Sequence, residues 1–75
     1  MQADATGDYS GGVMRLEISH SGVLIGRWVI RARRVSDVQR AMLPEGWRVE
    51  LRKTSAGGSR WRGRAYRPKD WAKRL

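Results

Sequence analysis

Val13-Met14-Arg15-Leu16-Glu17-Ile18-Ser19-His20-Ser21-Gly22-Val23-Leu24-Ile25-Gly26-Arg27-Trp28-Val29-Ile30-Arg31-Ala32-Arg33-Arg34 is the stretch from which the fold of this chain is read. From Val13 the side chains follow a period of two: Met14, Leu16 and Ile18 point one way, Arg15 and Glu17 the other. Ser19 to Gly22 reads as a turn, because glycine takes a positive φ at little cost. The alternation then resumes. Leu24, Gly26, Trp28, Ile30 and Ala32 share one side, and Ile25, Arg27, Val29, Arg31 and Arg33 the other. Two alternating runs joined through Ser-Gly predict a β-hairpin.

Outward toward the C-terminus, Ser36-Asp37-Val38-Gln39 breaks the alternation and has the form of a capping box, with Ser36 at the cap and Gln39 three residues on. Asp37 in the first turn suits the helix dipole. Val38, Ala41 and Met42 fall at helical spacing, and Leu43-Pro44 closes the segment. Two turns of helix need tertiary packing to persist. Trp47, Val49 and Leu51 then alternate with Arg48, Glu50 and Arg52. After the glycine-rich loop Lys53 to Ser59, Trp61, Gly63 and Ala65 alternate with Arg60, Arg62, Arg64 and Tyr66. Pro68 ends that run.

The expected fold is therefore α+β: a four-stranded, mainly antiparallel ββαββ sheet over residues 13–67 with one short helix on one face, in two layers. A strand order of 2-1-3-4 would make it wholly antiparallel. Residues 1–12, small, polar and ending in Gly11-Gly12, read as a flexible arm. Residues 68–75 read as a basic tail or one helical turn, with Trp71 and Leu75 four apart.

Charge carries the functional expectation. Sixteen Lys and Arg against seven Asp and Glu leave a formal charge of +9 in 75 residues, a balance that favours polyanionic partners. Arginine outnumbers lysine thirteen to three, and arginine adds planar, bidentate contacts to phosphate and guanine. A GC-rich genome accounts for part of that ratio but not for the net charge. If the helix covers Met14, Leu16, Ile18, Leu24, Trp28, Ile30, Val49, Leu51 and Trp61, the pleat assigns the opposite face. It would carry nine arginines: Arg15, Arg27, Arg31, Arg33, Arg48, Arg52, Arg60, Arg62 and Arg64. Only Glu17 and Glu50 oppose them, an expected excess of seven positive charges.

These nine, with Tyr66 as a stacking aromatic and Lys69, Lys73 and Arg74 as phosphate contacts, form the expected nucleic-acid-binding set. Duplex DNA is favoured over single strands or RNA, because a platform for single strands needs several displayed aromatics. A small regulator from a phage or mobile element fits that description. The competing expectation is a protein-interaction or inhibitor module for an acidic protein surface, with a homodimer compatible with so small a core.

Catalysis is not expected. His20 is the one histidine, so neither a metal-ligand cluster nor a nucleophile–base pair can be assembled around it. Ala56-Gly57-Gly58-Ser59 lacks the Gly-Lys-Ser/Thr of a phosphate-binding loop, and no cofactor is implied. The absence of cysteine, of a hydrophobic leader and of any apolar run near the roughly 20 residues of a membrane span predicts a soluble, intracellular, cytoplasmic chain with no membrane partner.

Overall fold

The computed structural model describes residues 2–54 and 58–67. Among the described residues, five strands and one helix follow in the order β1 (Gln2–Ser10), β2 (Val13–His20), β3 (Val23–Arg31), α1 (Val35–Met42), β4 (Arg48–Lys53) and β5 (Arg60–Tyr66). They form one antiparallel sheet in the order β3-β2-β1-β5-β4. The α+β class and the single short helix agree with expectation. The strand count and order do not.

The correction lies at the N-terminus. Residues 2–10 are no arm; they are the central strand, paired with β2 on one side and β5 on the other. Ala3, Ala5 and Gly7 turn toward the helix side and are buried, while Asp4, Thr6 and Asp8 are exposed. This is a period of two written in small residues, which raise no hydrophobic signal. Small side chains are what the place requires: Met14 packs its sulfur against Gly7, leaving no room there for a Cβ. Gly11 and Gly12, at φ 59° and 76°, make a two-residue hairpin turn with positive φ at both positions, the conformation that matches the twist of the flanking strands. Ser21 and Gly22 do the same between β2 and β3, at φ 51° and 78°. Two hairpins in succession thus build β1-β2-β3.

The helix links the two edges of the sheet. The chain leaves edge strand β3, crosses the covered face as α1 and returns as the opposite edge, β4. Asp37, not Ser36, organises its start: the Asp37 carboxylate accepts from the backbone N–H groups of Arg33 (2.9 Å) and Arg34 (3.1 Å). The cap position is Arg34, two residues before the expected one. Val38 and Met42 are buried as expected, but Ala41 is exposed. Gly46, at φ 90°, lets Trp47 turn back so that its N–H reaches the Met42 carbonyl at 3.1 Å.

Trp47, Met14, Leu16, Ile18, Met42, Val38 and Val49 are the largest fully buried side chains, each contributing about 1.5–3 kcal/mol of burial. Trp28, Ile30, Leu51 and Trp61 pack half-buried around them. Arg67 lies over the Trp47 ring, 4.2 Å from its centroid. Trp28 Nε1–H donates to Glu45 Oε1 at 3.0 Å, tying β3 to the segment before β4.

One irregularity and one close backbone approach mark the sheet. The β2–β3 register shifts between Ile18 and Ser19: Gly26 pairs with Ile18 but Leu24 with Ser19, so Ile25 is the extra residue of a bulge. Leu24 is thereby taken off the core side, where the alternation had put it, and is exposed. At the other end, the Glu50 carbonyl occupies the space a Cβ on Gly63 would need. The backbone of Glu50 and Leu51 passes so close to Gly63 that glycine is required there.

Candidate nucleic-acid interface

The pairing registers place eight arginines on the face away from α1. Arg27 and Arg31 come from β3, Arg15 from β2, Arg60, Arg62 and Arg64 from β5, and Arg48 and Arg52 from β4. Each of the eight is exposed. The ninth expected member, Arg33, does not belong to them. β3 ends at Arg31, and Arg33 sits in the bend before the helix with its amide bound to Asp37.

Central strand β1 changes the electrostatics of this face. Asp8 stands opposite Arg15 on one side and Arg60 on the other; Asp4 stands opposite Ser19 and Arg64. Glu50 is opposite Arg64 from the β4 side. With Glu17, four carboxylates oppose the eight arginines, an excess of four, not the expected seven. The sheet reading missed Asp4 and Asp8 because the strand that bears them has almost no hydrophobic content. Two signals could have found it: the Asp4/Thr6/Asp8 alternation and the Gly11-Gly12 pair directly before an alternating run.

The charge is uneven across the face. Arg27 Nε donates to Glu17 Oε2 at 2.8 Å, and both side chains are well exposed, so this contact orders Arg27 more than it stabilises the fold. On the β5 side Arg62 pairs in register with Arg52, and its other neighbour is the neutral Thr6. Like charges directly opposite each other are unfavourable in a sheet. Asp4, Glu50, Arg52, Arg62 and Arg64 border one open concavity at this place, together with Gly63, Leu51 and Gln39.

Tyr66 belongs by register with Gln2 and Arg48, but it is buried. It is therefore not displayed for stacking. Trp28, Trp47 and Trp61 face the core side, as the pleat predicted. Lys69, Lys73, Arg74 and Trp71 lie outside the described residues. Off the sheet, Arg34 and Arg40 are exposed beside Asp37, with Arg40 Nη2 donating to Asp37 Oδ1 at 2.7 Å. Two backbone N–H donors, from Arg33 and then Arg34, and the Arg40 guanidinium hold the Asp37 carboxyl below its ordinary value of 3.8.

His20 is exposed at the second hairpin turn. Among the described residues no group of three or more His, Cys, Asp or Glu side chains is placed to hold a metal ion. No helix among them is long and apolar enough to cross a membrane. Comparison with models of known protein families, with curated proteins and with solved structures finds no match to this chain. The functional reading rests on the face itself.

Proposed function

We propose that this chain binds nucleic acid through the open face of its sheet, with duplex DNA as the favoured form and β5 and β4 as the centre of contact. The observation that carries this is the Arg62–Arg52 pair, two guanidiniums opposite each other in register with Thr6 beyond. A phosphate between them removes their repulsion and accepts from both planar forks. Arg60 and Arg64, two residues to either side along β5, extend the row. Duplex is favoured because no Trp or Tyr side chain is fully exposed among the described residues, whereas single-strand platforms depend on stacking. Contacts of this kind go to phosphate and to guanine edges.

Fluorescence anisotropy with a labelled duplex across a salt series tests the proposal. Some five phosphate contacts give a slope of log K against log salt of about −4.5. Arg62→Ala with Arg52→Ala lowers affinity and flattens the slope while the fold persists, since both side chains are exposed. Binding that is absent at low salt, or independent of salt, overturns it. An acidic protein surface is the second reading, supported by the same excess of charge. Nuclease treatment of captured complexes separates the two, because a protein partner survives it.

A further inference from the structure

The two edges of the sheet differ in chemistry. On β4 the residues Arg48, Glu50, Arg52 and Lys53 are all exposed, and charge on an edge strand discourages pairing with another chain. β3 is the opposite. Of the five large hydrophobic residues exposed among the described residues, Val23, Leu24, Ile25 and Val29 lie on it, Val29 at 73% and Val23 at 67%. An edge strand that pairs on one side alone among the described residues, bulged at Ile25 and carrying exposed apolar side chains, is a template for strand addition.

We infer that the β3 edge is where a second copy of this chain docks, by antiparallel β3–β3 pairing about a two-fold axis. Self-complementarity points to a copy and not to a foreign strand. Apolar residues lie on both sides of Arg27, so an antiparallel arrangement centred there lays Ile25 of one strand alongside Val29 of the other and the terminal Arg31 alongside the neutral Val23 of the other copy. Of the two charges on β3, Arg27 is countered within its own protomer by Glu17 at 2.8 Å, which lessens the like-charge cost at the axis. β3 and β4 each carry a formal charge of +2, but only β3 brings exposed apolar side chains together across the shared edge, which adds apolar burial to a small core.

The arrangement has a consequence that rests on the proposed DNA binding. Two copies joined at β3 form one ten-stranded sheet with a continuous open face. Their β5 arginine rows lie seven strand spacings apart, about 34 Å along the sheet. One turn of B-form DNA is about 34–36 Å, the separation of half-sites read by two-fold dimers.

Sedimentation equilibrium of the whole chain without DNA, from about 1 to about 500 µM, tests the interface by mass action. The expected result is a reversible rise from 8.6 kDa to twice that mass. Val29→Lys and, separately, Leu24→Lys are expected to weaken the dimer at least about tenfold, whereas Glu50→Lys on the other edge leaves it unchanged. Hydrogen exchange on the unaltered protein, dilute against concentrated, is expected to show slowing in 23–31 and none in 48–53. A monomer at every concentration overturns the inference, as does a dimer indifferent to both β3 substitutions or one whose protection falls on 48–53. A dimer that binds no duplex overturns the proposed function and leaves the interface standing; a monomer that binds duplex does the reverse.

Discussion

The carbonyl of Glu50 lies in the space where a side chain on Gly63 would begin. Backbone cannot yield as a flexible side chain does, so this position tolerates no Cβ without moving β4 away from β5. Gly63→Ala is expected to destabilise the protein by about 3 kcal/mol or more. Urea unfolding measures it. A cost near that of an ordinary exposed strand glycine would show that the Glu50 backbone does not crowd this position.

Deleting residues 1–9 separates a flexible arm from a central strand. Without β1, β2 and β5 lose the partner that joins them, and Ala3 and Ala5 leave the core. The shortened chain is expected to lose its cooperative thermal transition, read by circular dichroism. Retention of that transition would return these residues to the status of a tail.

Asp37 sets the acid limb of helix stability. Its carboxylate is favoured in the folded chain by the Arg33 and Arg34 amides and by Arg40, so its folded value lies below the ordinary 3.8. A depressed carboxylate contributes stability that is fully present above the unfolded value and is lost as pH falls through the folded one. Asp37→Asn is therefore expected to lower the melting temperature at pH 7 and to narrow its difference from the unaltered protein below pH 3.8. Melting curves at several pH values check the sign.

Asp4 and Asp8 oppose the arginines on the face proposed for DNA. Asp4→Asn and Asp8→Asn each remove a negative charge beside Arg64 or Arg60, and each is expected to raise duplex affinity about two- to fivefold at low salt. Both residues are exposed, so folding is spared. Anisotropy titrations give the ratio; a loss of affinity would mean that these carboxylates themselves contact the ligand.

The hairpin at Ser21-Gly22, the burial of Met14, Leu16 and Ile18, and the strand from Arg60 to Tyr66 were legible because alternation and turn chemistry are local. Leu24 was misplaced because a bulge reverses the faces, and nothing in Leu24-Ile25-Gly26 announces it. The capping site moved from Ser36 to Arg34 because Asp37 gathers two amides, a better bargain for the chain than one Ser hydroxyl. β1 escaped notice because sequence patterns report strands through hydrophobic side chains. Its core side is Ala3, Ala5 and Gly7, and at Gly7 the Met14 side chain already fills the space.

Composition and spacing were enough to establish a basic chain, a sheet with one covered face and arginines on the other, since charge and pleat follow from the order of residues alone. Which strands are neighbours does not. The position of Gln2–Ser10 between β2 and β5 comes from long-range pairing, and it alone brings Asp4 and Asp8 among the arginines. The net charge of the chain is unaltered by that pairing, but Asp4 and Asp8 take two from the expected excess of seven on the open face, and the end of β3 at Arg31, which leaves Arg33 out, takes one more, so that four remain. Arg62 and Arg52 are left as the place where positive charge meets positive charge.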